Sequence, residues 1–586
     1  MLSSIMSTRS GFLRLTLLVS AALFALLLLL NTLQRSDQLL VPTRAADVAR
    51  KEPKATPPPV QDVEEPIDEA LVRQLEQELP EVDYGLWYRS AKPLGYKVNA
   101  TCAPYPDPLD LHLHNIYWQT FLNGNVTFRL YAAYLDQRAA VKSRIVRVLA
   151  TANQIGNDFP PTHCQLWYKG RREPIFVKVS EFVSVWVKNW GHTPQLSYPH
   201  LLSCPVPKEL PPNILDSLPS TVSLVVEPCD KASNSLRVHF ELPKQRPSSS
   251  STSISNSTAT NAKGLLSFGV CLKGFDFPYV DLSERLIEWF ELQRLLGASR
   301  VYAYMYDVHP AVQRVLDYYQ RTGYLELRPL TLANGMPRLR HYQHMLLQQR
   351  RLVKRLNELI PYNDCFYRNM YRHDYLLNVD VDEVIMPLGE QRTWQDVVER
   401  AHKIEKAKGG KCAGSFTSLC MINAYFTRVV PEAHNHEEQE AGELYVLQHT
   451  LRHRNHSLPG RATKCFHNTR YSLTLHNHFT LKWLSGACNP RTVDISVAQM
   501  QHYREPDKKY ELSELVEDRS AWRYAEALRA AVEQVWLHLD DVQGQSNDAE
   551  EQSALEEALV EEQESDLEQQ QQQQMMLHPP VPVAKK

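Results

Sequence analysis

The sequence predicts an α/β protein: a mostly parallel sheet covered on both faces, preceded by a small β-sandwich-like region and one N-terminal transmembrane helix. Three observations predict it. Leu15–Gln34, "LTLLVSAALFALLLLLNTLQ", carries no charge over twenty residues. From about Asn115 to Leu242, short runs with Val, Tyr, Phe or Ile at alternating places are separated by Pro, Gly or Asn. From Leu265 onward, continuous apolar runs alternate with stretches of helical spacing.

The apolar segment comes first. Twenty residues at the helical rise just span a bilayer core of about 30 Å. A signal peptide is the alternative, although its apolar region is usually shorter, about 7–15 residues. Arg35, Arg44, Arg50 and Lys51 balance Arg9 and Arg14, so the flanking charges do not orient the segment. All ten cysteines and four N-x-S/T sequons (Asn99, Asn125, Asn256, Asn455) lie beyond it. That one-sided placement predicts a short cytoplasmic tail (residues 1–14), a signal-anchor (15–34) and a lumenal body. Four cysteines precede residue 265 and six follow it, which fits disulfides closed within each half. No C-x-x-C spacing points to a zinc ribbon.

Residues 35–85, with "TPPPV" near their centre, read as an extended polar stem. The β-rich region, 100–243, contains "VTFRLYAAYLD", "SRIVRVLAT", "IFVKVSEFVSVWVKNW" and "LRVHFEL", a pattern that predicts an antiparallel sandwich. Ten of the thirteen residues from Ser248 to Thr260 are Ser or Thr, so 244–263 reads as a linker. The α/β region is predicted over 264–540. "LLSFGVCL" reads as a strand buried on both faces, followed by a helix from a cap near Asp281 to Gly297. "VYAYMYD" is the next strand, Pro310 opens a second helix, and "YLELRPL" is strand again. Arg338–Leu359 and Lys509–Leu539 read as further helices.

Apolar content of 43% and charged content of 22% are ordinary for a globular protein, and 586 residues suffice for two or more domains. Asp548–Glu568 holds ten acidic residues and is followed by six glutamines, so 541–586 reads as a disordered tail. Asp548–Lys586 sums to −8 against a net charge of −3, which leaves the rest of the chain at about +5. The body is mildly basic, which suits small anionic ligands, and too diffusely so for nucleic acid.

The chemistry concentrates in "YLLNVDVDEVIMP", Tyr375–Pro387. Read as a strand, it sends Asn378, Asp380 and Asp382 to one face and leaves Glu383 on the other. Two carboxylates on one face near the carboxyl end of a parallel strand suit a divalent cation, Mn²⁺ or Mg²⁺, holding a diphosphate. A solvated acidic turn is the alternative. Asp307 ends the second strand, where it could reach a ribose hydroxyl or serve as an ordinary turn residue. The string "HNH", at His434–His436 and His476–His478, lacks the surroundings of a nuclease motif.

Several blocks in order resemble glycosyltransferase family 92. They are "NDCFYRNMYRHDYLLNVDVDEVIMP" (Asn363–Pro387), "LIEWFELQRLLGASRVYAYMYD" (Leu286–Asp307), "HYR" (His502–Arg504) and "AAYLDQR" (Ala132–Arg138) in the region before them. The resemblance covers about residues 115–510. It implies a GT-A (nucleotide-diphospho-sugar transferase) fold and inverting β-galactosyl transfer from UDP-galactose, a UDP-sugar donor, to a glycan acceptor on glycoprotein or glycolipid. Acceptors in the family include plant galactan and fucose on animal N-glycan cores. Asp380 and Asp382 then become metal and nucleotide-sugar residues. His502 is the third metal ligand, with His476 and His478 as the other candidates. Asp382 and Glu383 are the catalytic candidates, the role of Glu383 being open; Glu432, Glu437 and Glu443 lie in the acceptor half, where nothing singles out a general base. The setting expected is a single-pass type II Golgi membrane protein. The alternative is a non-catalytic, lectin-like membrane glycoprotein with a degenerate transferase domain. A metal-dependent phosphohydrolase is disfavoured by the missing second acidic cluster.

Overall fold

The computed structural model describes residues 69–84, 105–169, 171, 173–210, 218–241, 265–333, 339–427, 444–504 and 511–540. All belong to the compact unit that begins at Pro66. The predicted anchor Leu15–Gln34, Asn99, Asn256, the linker 244–263, Glu432, Glu437, Glu443 and the tail 541–586 lie outside them. Among the described residues no helix is long and apolar enough to cross a membrane.

The molecule is a mixed α/β protein with several sheets. The β-rich region is built around three long antiparallel strands, β1 (Val126–Asp136), β2 (Ile145–Ala152) and β3 (Tyr198–Pro205). The expected sandwich is instead one hydrogen-bonded sheet of ten strands. A short parallel pairing of Val238 with Ala133 joins its two halves, and their side chains share one apolar core. The stem also differs at its end. Glu69–Glu78 is helical, Val72 and Val82 are buried, and the Glu81 carboxylate takes an ion pair from Arg368 at 2.5 Å and a hydrogen bond from His239 Nε2 at 2.6 Å.

The second half follows the predicted alternation. Strands β4 (Phe268–Phe277), β5 (Ala298–Val308), β6 (Leu325–Pro329) and β7 (Tyr375–Asn378) are parallel and lie in the order β6-β5-β4-β7. Helix α1 (Ser283–Leu296) joins β4 to β5 and stops at Gly297, whose φ of 116° favours glycine. Helix α2 (Pro310–Arg321) starts with proline at its first position, after which β6 returns beside β5. The long α3 (Arg351–Asn369) then carries the chain back past β4 to β7. Strand order therefore reverses between β4 and β7, and open α/β sheets bind ligands outside the carboxyl ends at such a point.

Alternation along the strands assigns the two faces. Val270, Val301 and Leu377 pack with α1, α2 and α4 (Trp394–Ala407). Cys271, Tyr302 and Leu376 pack with α3 and with Trp118, Tyr131 and Tyr134 of the β-rich sheet. The two regions thus share a core. Two antiparallel strands, β9 (Ser418–Met421) and β11 (Lys464–Asn468), extend the sheet beyond β7. A separate sheet contains β8 (Glu383–Pro387), β10 (Asn423–Thr427) and β14 (Ala498–Tyr503), and β12 (Ser472–Leu475) with β13 (Thr480–Trp483) forms a hairpin. The last predicted helix is shorter than Lys509–Leu539: Leu515–Glu517 is a strand, and the α-helix occupies 525–540.

Among the described residues, the disulfides Cys164–Cys204, Cys271–Cys365, Cys412–Cys488 and Cys420–Cys465 close within the two halves.

Candidate active site

The acidic motif is not one continuous strand. β7 ends at Asn378 and β8 begins, in another sheet, at Glu383. Between them the chain turns: the Glu383 amide donates to the Asp380 carbonyl at 3.0 Å, and the Glu383 carboxylate accepts the Asp380 amide at 2.9 Å. A carboxylate that captures a nearby backbone amide competes with strand pairing, which is why the alternating pattern fails here. Glu383 therefore joins the aspartates instead of facing away from them.

Two lysines meet this turn, one half-buried and one buried. Lys273, on β4, lies 3.0 Å from Asp380 and 3.2 Å from Glu358 of α3. Lys464, on β11, lies 3.0 Å from Glu383 and 3.8 Å from Asp380, with no side-chain exposure. Tyr362 donates to Asp380 at 3.3 Å. Burial opposes ionisation of Asp380, yet the Lys273 and Lys464 ammoniums hold its carboxyl far below the usual range. For Glu383 burial wins over Lys464 and pushes the carboxyl up. The repulsion expected between the carboxylates is thus relieved in large part by protein cations.

Asp382 has different company. His502 stands opposite Glu383 in the β8–β14 register, which brings its Nε2 to 3.3 Å from Asp382 Oδ2. Burial works against the Asp382 anion, but the His502 hydrogen bond and charge lower its pKa. The Tyr503 amide donates to the Asp382 carbonyl at 2.8 Å, and Trp289 Nε1 of α1 donates to the Glu383 carbonyl at 3.0 Å. Segments more than ninety residues apart thereby fix one turn.

No group of three or more His, Cys, Asp or Glu side chains among the described residues is arranged to hold a metal by itself. Asp382 and His502 nevertheless form a carboxylate–imidazole pair that fits a divalent ion, the other positions being left to a diphosphate and water. Asp380, engaged by Lys273 and Tyr362, fits the role of charge partner better than that of ligand.

The "NDC" residues position the surroundings. Asn363 accepts from the Leu475 amide and donates to its carbonyl, both at 2.9 Å, which pins the β12–β13 hairpin. Asp364 accepts from Tyr134 of the β-rich sheet, from Tyr304 at 2.5 Å and from Arg368 at 2.8 Å. Cys365 ties α3 to β4 two residues before Lys273.

Other candidates fall elsewhere. Asp307 sits at the end of β5 beside Asp276 in register and pairs with Arg340 at 2.5 Å, and no contact among the described residues links it to the turn. His476 lies in the hairpin turn, its ring 4.4 Å from Trp190. His478 is beside it, its Nδ1–H donating to the Thr463 carbonyl at 3.2 Å. Asn125 and Asn455 are both exposed, as glycan acceptors must be. Sequence reading missed Lys273, Lys464 and Glu358. A lysine inside an apolar strand run, as in "GVCLKGF" and "TKCFH", was the available signal for the first two.

Residues 267–543 match the family model of glycosyltransferase family 92, a stretch that holds both lysines, the acidic turn and His502 but not the β-rich region. This match implies glycosyltransferase activity, and with it a sugar donor and a glycan acceptor. No curated protein matches the chain.

Proposed function

We propose that this transferase moves galactose from UDP-galactose, with inversion, to a hydroxyl of a glycan through a GT-A-type domain. The observation that carries the reading is the meeting of Lys273, Asp380–Glu383 and His502 at the point where strand order reverses. The family match supports a sugar donor; galactose and the β-linkage come from the resemblance described above.

In this reading the acceptor oxygen attacks the anomeric carbon while its bond to the UDP oxygen breaks, and the acceptor proton passes to a base. Asp382 and His502 would hold Mn²⁺ or Mg²⁺. When bound, that ion would neutralise charge on the departing diphosphate. Lys273 and Lys464 balance Asp380 and Glu383 within the protein itself. Trp289 and Tyr503 hold the turn's backbone in place, which limits the reorganisation needed during transfer.

A lumenal Golgi setting behind the Leu15–Gln34 anchor is part of the proposal. The disulfides and the exposure of Asn125 and Asn455 support it. The test is UDP release by the full-length chain in detergent, with UDP-galactose, Mn²⁺ and a glycan-acceptor panel. Transfer is expected; binding of glycans with no transfer from any nucleotide sugar would favour the lectin alternative.

A further inference from the structure

A cavity of about 570 Å³ adjoins the acidic turn, within the range usual for small-molecule sites. It belongs to neither region alone. Trp186 and Trp190 come from the β-rich region, Arg355 and Glu358 from α3, and His476–Phe479 from the turn between β12 and β13.

One wall is aromatic. The ring of Trp190 lies 5.4 Å from that of Trp186 and 4.4 Å from that of His476, which stacks on Phe479 at 4.9 Å. Trp186 is fixed by donating Nε1–H to the Gly191 carbonyl at 2.8 Å. Burial lowers the pKa of His476 to about 3 and that of His478 to about 4, so both rings are neutral near pH 7. The rest of the lining is Leu359 and the polar Asn189, Arg355, Glu358 and Asn477. Flat aromatic faces beside a few hydrogen-bonding groups suit a pyranose, which has an apolar face and a rim of hydroxyls.

The same polar groups touch the acidic turn's cations. Glu358 lies 3.2 Å from Lys273, and Asn477 Oδ1 accepts from Lys464 at 2.6 Å. An occupant of the cavity is therefore one residue away from the proposed donor site. We propose that this cavity is the acceptor subsite, holding a neutral hexopyranose of the glycan with Trp190 against its apolar face and Glu358 and Asn477 at its hydroxyls. The β-rich region thereby supplies part of the acceptor site. This assignment rests on the transferase reading.

The experiment uses full-length protein in detergent with saturating UDP, so that the donor site is filled. Saturation-transfer NMR would be recorded with methyl β-galactoside, methyl α-fucoside, chitobiose and β1,4-galactobiose, on wild type, Trp190→Ala and Trp190→Phe. At least one sugar should bind wild type, weaken about tenfold or more in Trp190→Ala, and recover in Trp190→Phe. UDP binding and the melting temperature of each variant, measured in parallel, report the donor site and the fold. Equal sugar binding by wild type and Trp190→Ala, or no binding of any of the sugars to wild type that binds UDP, would overturn the proposal. Failure of wild type to bind UDP would instead count against the transferase reading.

Discussion

Glu383 and His502 face each other across two antiparallel strands, and this pairing sets the His502 imidazole 3.3 Å from Asp382. The last motif of the domain thus completes the site begun by the central one. His502→Ala should lower kcat/KM by about 10²-fold or more and blunt the response to Mn²⁺, with the melting temperature little changed. Metal titrations of initial rate on the two proteins check this.

Lys464 is wholly buried between Glu383 and Asp380. Lys464→Met leaves the buried Glu383 without its cation and Asp380 with Lys273 alone, and should destabilise the fold by roughly 3–5 kcal/mol. Chemical denaturation measures it. A loss below 1 kcal/mol would mean that the lysine does not balance the turn.

Glu288 of α1 is buried beside the turn, and burial raises its pKa from 4.5 to about 7, against hydrogen bonds from Tyr445 and Val446 amides. Between those values the folded protein binds the proton that the unfolded chain releases. Its contribution is therefore full below pH 4.5 and falls as pH rises toward 7, by on the order of 3 kcal/mol. Glu288→Gln should remove that slope, so the variant gains on wild type as pH increases. Melting temperatures of both from pH 5 to pH 8 give the difference.

Asn363 holds both polar atoms of the Leu475 backbone. Asn363→Ala should cost about 1–3 kcal/mol, because buried backbone groups lose their partners. If the hairpin presents the acceptor, KM for acceptor should rise more than KM for UDP-galactose. Steady-state kinetics with each substrate varied in turn separate the two.

Much of the fold was legible in the sequence because β4, β5 and α1 are long and locally consistent: apolar runs, helical spacing and Gly297 agree. The acidic turn was not. "LNVDVD" has the period of a strand, and only the Glu383 side chain, folding back on the Asp380 amide, breaks it. Lys273 and Lys464 arrive from strands separated by 191 positions in the numbering, and no local pattern pairs them with Asp380. The single β-rich sheet turns on one short parallel contact, Val238 with Ala133, which alternation cannot reveal. The folded end of the stem depends on Glu81 finding Arg368, a distant partner.

The most direct measurement compares UDP release from UDP-galactose by wild type and by Asp382→Ala, with Mn²⁺ and a glycan acceptor, at matched melting temperature. Wild type should release UDP with equal galactose transfer, and Asp382→Ala should lose about 10²-fold or more of that rate. Equal rates in the two proteins would contradict the assignment of Asp382 and His502 as the centre of the site.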